Sequence, residues 1–139
     1  MERQTTSELM RACYDAFARK DLDAIVALHH SDAIYHVAGT HPLAGDKVGI
    51  EAVLTYMLEV SQISGGRGGF VVEQVASDGD IAFSMAVGTA YHGDSPFSRP
   101  IVHLARFDAG RVAEFWDLPL DQRAEDEFWT GAVATTSPG

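Results

Sequence analysis

The sequence predicts an α+β domain in which a curved, cone-shaped antiparallel β-sheet is closed by N-terminal helices around an internal pocket. Three observations carry that expectation. Apolar residues recur at three- and four-residue spacing in the first half of the chain, most cleanly at Ile50, Val53, Leu54, Met57 and Leu58. From Phe70 the period changes to two and holds to Leu118. Within that second half, Asp78-Gly79 and Asp108-Ala109-Gly110 place glycine where hairpin turns want a positive φ. A meander of four long strands twists and bends, and helices on its concave side leave a cavity in the middle.

Thr5 and Glu8, three residues apart, form a capping box ahead of an apolar stripe of Leu9, Cys13, Ala16 and Phe17. Lys20-Asp21 interrupts the stripe, and Asp21 caps a short second helix carrying Leu22, Ile25, Val26 and Leu28. Ala33 to Val37 reads as a short strand stopped by Gly39, and Gly39 to Gly49, with Pro42 inside it, reads as a loop. The long helix from Ile50 to Ile63 closes at Gly65-Gly66. Gly65-Gly66-Arg67-Gly68-Gly69 follows a helix and precedes a strand, the reverse of the order a phosphate loop needs, so it reads as a connector. Strands then run over about 70–76, 81–91, 99–107 and 111–118, with a looser connection around His92 to Pro96. In the last of them, period-2 geometry sets Ala113, Phe115 and Asp117 on one face and Val112, Glu114 and Trp116 on the other. Asp121 caps a final helix carrying Ala124, Phe128 and Trp129. One domain spans residues 1–130, and residues 131–139 read as a flexible C-terminal tail.

The chain of 139 residues sets 20 acidic side chains against 10 basic ones, a formal charge of -10. That balance opposes nucleic-acid binding, which rests on neutralising phosphates with lysine and arginine, and it disfavours anionic membranes. No apolar run approaches the length of a membrane or signal segment. The single cysteine, Cys13, excludes an internal disulfide and fits a reducing cytoplasm. It lies on an apolar stripe with no cationic neighbour in sequence, the setting of a small core residue rather than a nucleophile. Among the six histidines there is no His-Glu-x-x-His and no close pair on one strand face, so neither a metal nor another cofactor is expected. His29, His30, His41 and His92 read as surface or loop residues. A small neutral or weakly polar ligand, or a protein partner, is the company these features favour.

Several local motifs then carry a resemblance. Asp21-Leu22-Asp23-Ala24-Ile25-Val26-Ala27-Leu28, Asp32-Ala33-Ile34-Tyr35-His36-Val37, Pro42-Leu43-Ala44-Gly45 with Gly49, and Asp108-Ala109-Gly110-Arg111-Val112 running into Glu114-Phe115-Trp116-Asp117 resemble the nuclear transport factor 2-like superfamily over roughly residues 5–130. That superfamily includes the ketosteroid isomerases and the SnoaL-like polyketide cyclases. The isomerases take a tyrosine from the first helix and aspartates from the first and penultimate strands. The matching positions here are Cys13, Val37 and Val102, with Tyr14 turned about 100° aside, so that chemistry is not expected. The cyclases use an aspartate as general base, and their C-terminal strand commonly carries a pair like Trp116-Asp117. The resemblance implies Asp117 as base, with His36 as a weaker candidate, and a homodimer formed through the outer sheet face around Trp116, Glu114 and His103.

On such a fold, strand alternation predicts the pocket wall: Tyr35 and Val37; Met85, Val87 and Thr89; Val102 and Leu104; Phe115 and Asp117, with Phe17 and Met57 closing it from the helices. Asp117 would be an acid among apolar groups, and Tyr35 a donor to a ligand carbonyl. Asp117 could equally cap a strand end or pair with Arg106 or Arg123, Tyr35 and His36 could be structural, and bulky side chains could fill the cone. The expected function is binding of a small, mostly apolar carbonyl or polyketide-like compound, with cofactor-free isomerase or cyclase action by an aspartate base. A non-catalytic ligand-binding module, or a dimerising interaction module, is the alternative on the same fold.

Overall fold

The computed structural model describes residues 4–136. The capping box forms at the start: Thr5 Oγ1 accepts from the Glu8 amide at 3.1 Å and Glu8 Oε1 accepts from the Thr5 amide at 3.2 Å, opening α1 (Thr6–Ala18). Asp21 caps α2 (Leu22–Ala27) by accepting from the Ala24 amide at 3.1 Å. Then follow β1 (His29–Val37), β2 (Gly45–Val48), α3 (Ile50–Ile63), β3 (Gly69–Asp78), β4 (Ile81–His92), β5 (Ser95–Asp108), β6 (Arg111–Pro119) and α4 (Gln122–Thr136).

Three boundaries differ from the sequence expectation. β1 begins at His29 rather than Ala33, because His29 already sits beside Val112 of β6. Part of the predicted loop is β2, a short edge strand whose register runs from Ile34↔Val48 to Val37↔Gly45. The predicted flexible tail is helix as far as Thr136, since Trp129 and Ala132 are buried and hold α4 against the sheet; residues 137–139 lie outside the described residues. The connection after His92 is also tighter than expected, a hairpin in which His92 faces Ser95. Among the described residues no helix is long and apolar enough to cross a membrane.

The six strands form one curved, unclosed sheet in the order β2-β1-β6-β5-β4-β3. Its pairings are antiparallel except β1 with β6, which is parallel. α1 lies across β3 and β4, and α3 lies across β1. Met10, Val53, Phe107 and Val112 form the centre of the core between these layers.

One irregularity decides which side chains face that core. The β5–β6 hairpin closes through Asp108↔Arg111 and Phe107↔Val112, but the next pair is Arg106↔Glu114. Ala113 is left without a partner, a β-bulge, and beyond it every residue of β6 faces the opposite way from where an unbroken ladder would put it. Val112 therefore points inward with Phe115 and Asp117, and His103 rather than Val102 stands opposite Asp117. The β4–β5 hairpin has no such break, so β4 follows β5.

The concave face of β4 and β5 is made by Ala82, Ser84, Ala86, Ala90, Ile101, His103 and Ala105, all buried. Met85, Val87, Thr89, Val102 and Leu104, predicted to line the pocket, lie on the convex face, in the same rows as Phe83, which is 46% exposed, and Leu118, which is 38% exposed. Curvature explains why the small residues are inside. The concave side of a sharply bent sheet has little room; at Gly88 even a Cβ would come within 2.9 Å of the Phe70 ring.

The bulge generates a prediction. Deleting Ala113 removes the bulge but leaves Arg106↔Glu114, Ala105↔Phe115 and His103↔Asp117 paired as they are, so Phe115 and Asp117 stay inward and urea unfolding should show a change of no more than about 2 kcal/mol. Ala113→Ser, which keeps the residue count, should stay within about 1 kcal/mol of wild type. A deletion variant that loses more than about 3 kcal/mol would show that the pairs beyond the bulge do not keep this register on their own.

Candidate functional site

The concave face, α1 and α3 together line an open cavity of about 90 Å³, which adjoins a wider chamber of about 450 Å³ toward the Gly66–Gly69 connector. Most of the inner wall is apolar or aromatic, including Met10, Phe17, Met57, Phe70 and Phe115. α1 supplies Met10, Cys13, Tyr14 and Phe17 at i, i+3, i+4 and i+7, one continuous helical stripe. α3 supplies Tyr56, Met57 and Val60 in the same manner.

Asp117 lines this cavity and, among the described residues, is the one carboxylate that does so. Its Oδ1 lies 2.8 Å from Nε2 of His103 across the β5–β6 pair, and the imidazole is only 3% exposed. Nδ1 of the same ring meets the hydroxyl of Tyr14, which in turn lies 2.5 Å from Oγ of Ser84 on β4. An ionised carboxylate can only accept. Nε2 therefore carries the proton, Nδ1 accepts from Tyr14, and the Tyr14 oxygen accepts from Ser84. Burial pushes the Tyr14 phenol up to about 12, against the Ser84 hydrogen bond and with the charge of Asp117 adding to it, so the donor stays protonated. Among the described residues Oδ2 of Asp117 has no hydrogen-bond partner. The arrangement is a carboxylate held by an imidazole, with one oxygen left to act as base or acceptor.

A second polar pair lies in the same cavity. Nδ1 of His29 is 2.7 Å from the Ile25 carbonyl and must donate to it; Nε2, 2.7 Å from the Tyr35 hydroxyl, must then accept. Burial lowers the His29 pKa and raises that of Tyr35, so both are neutral near pH 7. The Tyr35 ring stacks on Phe115 at 4.5 Å. Its proton is committed to His29, which overturns the expectation that Tyr35 donates to a ligand carbonyl.

Of the sequence-predicted residues, Phe17, Tyr35, Met57, Phe115 and Asp117 meet at the cavity. Val37 is buried beside Asp117 in the sheet but does not reach the cavity wall. Thr89 borders the wider chamber, with its hydroxyl turned to Ser98 at 2.8 Å. His36 is on the convex face, where Nδ1 meets Asp46 at 2.8 Å, Nε2 meets Glu114 at 2.9 Å and the ring stacks on Trp116, so it takes no part in the cavity.

The tyrosine and histidine groups of the cavity that escaped the sequence are Tyr14, His29, Tyr56 and His103, alongside the apolar Met10, Ile25, Val60 and Phe70. Tyr14 was signalled by the Met10-Cys13-Tyr14-Phe17 stripe, which runs one residue out of phase with the stripe through Leu9 and Ala16. His29 belongs to the unpredicted start of β1, and His41, also expected at the surface, is buried near Trp129. His103 was hidden by the bulge. Cys13 lines the cavity with its thiol pushed up to about 12 by burial, the setting of an inert thiol. Among the described residues no three His, Cys, Asp or Glu side chains come together as a metal site.

The fold and this cavity define a class. The chain belongs to the SnoaL-like domain family, whose model matches residues 10–115. Uncharacterized protein Rv0034 of Mycobacterium tuberculosis is 26% identical over 124 residues, covering 88% of this chain and 94% of that protein. Among solved structures, Bal32a from a soil-derived mobile gene cassette superposes with a TM-score of 0.85 at 27% identity, over 89% of this chain and 95% of its own. TerC, co-crystallized with polyporic acid, superposes with a TM-score of 0.78 at 18% identity, over 88% and 97% of the two chains.

The buried histidine predicts a pH dependence. His29 has a folded pKa below its ordinary 6.5, so the unfolded chain binds the proton more readily. Its contribution is complete above pH 6.5 and is lost as pH falls through the lowered folded value; His41, also lowered by burial, acts in the same sense. His36, raised chiefly by Glu114, acts oppositely: its contribution is present below 6.5 and lost as pH rises through its folded value, and its exposure makes it small. Urea unfolding should therefore show stability falling between pH 7.5 and 5, by at most about 1.4 kcal/mol per pH unit per histidine. The slope should be shallower in His29→Gln; an equal slope in that variant would remove His29 as the cause.

Proposed function

We propose that the cavity takes a small, mostly apolar carbonyl or polyketide-like compound and that the protein acts on it as a cofactor-free proton-transfer enzyme of the isomerase or cyclase kind. One observation carries this: Asp117, the carboxylate of a mostly apolar and aromatic wall, has one oxygen fixed by a buried imidazole and the other without a partner among the described residues. In the proposed step Oδ2 takes a proton from a carbon next to the carbonyl. The C–H electron pair moves into the conjugated enolate, and the acid returns the proton at another carbon or oxygen of the same molecule. His103 keeps Oδ1 in place throughout, and Tyr14 with Ser84 keeps His103 in the required tautomer. Such a positioned base supplies about 10²–10⁴ in rate. That TerC was co-crystallized with polyporic acid supports an organic ligand on this fold.

The test is α-hydrogen exchange. Wild-type protein in D₂O with 2-tetralone or benzoylacetone, followed by proton NMR, should accelerate deuterium uptake over buffer. Asp117→Asn should bind the same compound and lose about two to four orders of magnitude of that acceleration. Equal exchange by both proteins would sink the assignment of Asp117 as base, and binding without exchange in either would make this a non-catalytic ligand module.

We also infer a homodimer through the convex face. Phe83, Leu104 and Trp116 form one cross-strand row there, and Met85, Val102 and Leu118 the next, an apolar surface on three adjacent strands. Trp116→Glu or Phe83→Glu should yield monomers or aggregates in light scattering. A wild-type monomer at micromolar concentration would reject the dimer.

A further inference from the structure

A cavity that binds a carbonyl compound needs a hydrogen-bond donor for the carbonyl oxygen, and the donors here can be traced one at a time. The Tyr14 proton goes to His103, the Nε2 proton of His103 to Asp117, the Tyr35 proton to His29, and the Nδ1 proton of His29 to Ile25. The Cys13 thiol is a weak donor. That leaves Tyr56. It lines the cavity from α3, packed against both hydrophobic clusters of the core, and its hydroxyl has no hydrogen-bond partner among the described residues. Its ring is held on one side by the Lys47 ammonium, 5.6 Å from the centroid.

We propose that Tyr56 is the donor that fixes the ligand's orientation, its hydroxyl taking the carbonyl oxygen while the reacting carbon faces Asp117. This rests on the small-carbonyl reading of the cavity and adds to it the group that recognises the oxygen. Burial pushes the Tyr56 phenol well above its usual pKa, and the charge of Asp117 adds to the shift, so the oxygen keeps its proton at any working pH. The ring is packed in the core while the hydroxyl opens onto the cavity, so a ligand oxygen can reach its proton. The remaining acceptors, Oδ2 of Asp117 and the lone pairs of Tyr35, then select what the rest of the ligand presents: an acidic C–H or a hydroxyl, rather than a second carbonyl.

The experiment compares two probes of one shape, 2-acetylnaphthalene and 2-isopropenylnaphthalene, in which the carbonyl is replaced by a methylene. Wild-type protein should bind the ketone about 3- to 10-fold more tightly than the alkene, as expected for one hydrogen bond. The infrared carbonyl stretch of the bound ketone should move to lower frequency. In Tyr56→Phe, which keeps the ring and removes one oxygen, both the preference and the infrared shift should disappear while alkene affinity holds. A preference that survives in Tyr56→Phe overturns the assignment, as does a bound ketone with an unshifted carbonyl in the wild type, a measurement that stands even if the variant does not fold. If neither probe binds, the small-carbonyl reading fails and this one with it. If the ketone binds through Tyr56 but α-hydrogen exchange is absent, the catalytic reading fails and Tyr56 stands as the binding donor.

Discussion

The pairing of His103 with Asp117 depends on the unpaired Ala113, and most of the cavity depends on that pairing. With an unbroken ladder, the concave face would have set Asp117 against Val102 and Phe115 against Leu104. The bulge sets them against His103 and Ala105 instead. Because the β4–β5 hairpin closes without irregularity, the same phase passes to β4, bringing Ser84 inside and leaving Phe83, Met85 and Val87 outside. Leaving Ala113 unpaired, instead of opposite Arg106, thus gives a small-residue wall with a polar centre in place of a wall of bulky aliphatic groups. That change makes room for a cavity in a cone that would otherwise fill.

The electrostatics follow from two fixed ends. A carboxylate in an apolar cavity is expensive unless it is hydrogen-bonded. His103 supplies that bond, and the hydroxyls of Tyr14 and Ser84 extend it into the sheet. At the other end of the cavity the Ile25 carbonyl can only accept, which fixes the His29 tautomer and through it the Tyr35 proton. Both chains are polarised by an acceptor-only group, so the direction of every proton in them is determined. Among the described residues Asp117 is the cavity's one carboxylate, and the tyrosines and His29 beside it are neutral.

Two further polar groups tie the elements around this geometry together. Arg99 and Glu125 form a bidentate pair at 2.7 and 2.8 Å inside the sheet's far end, and Trp129 donates to the same carboxylate at 3.0 Å. The group fixes α4 against the strands and closes one end of the cone. On the convex side, His36, Asp46, Glu114 and Arg106 form a polar network beside Trp116, tying β1, β2, β5 and β6 together without entering the cavity.

The amino-acid sequence by itself determined the elements that rest on local chemistry. The Thr5–Glu8 capping box, the Asp21 cap, the 3.6-residue period of α3 and the glycine turns each act within a few residues and formed where expected. The family was legible too, as was the placing of an acid on the aromatic face of the last strand. Only the tertiary structure decided which face of β4 and β5 turns inward, which histidine reaches Asp117, and which tyrosine keeps a free proton. Those are properties of pairs of strands. Both faces of β4 are apolar enough to be inside, alanines on one and Phe83, Met85 and Val87 on the other, so its own periodicity cannot choose between them. The choice comes from the register with β5 and β6, and a single unpaired residue sets that register.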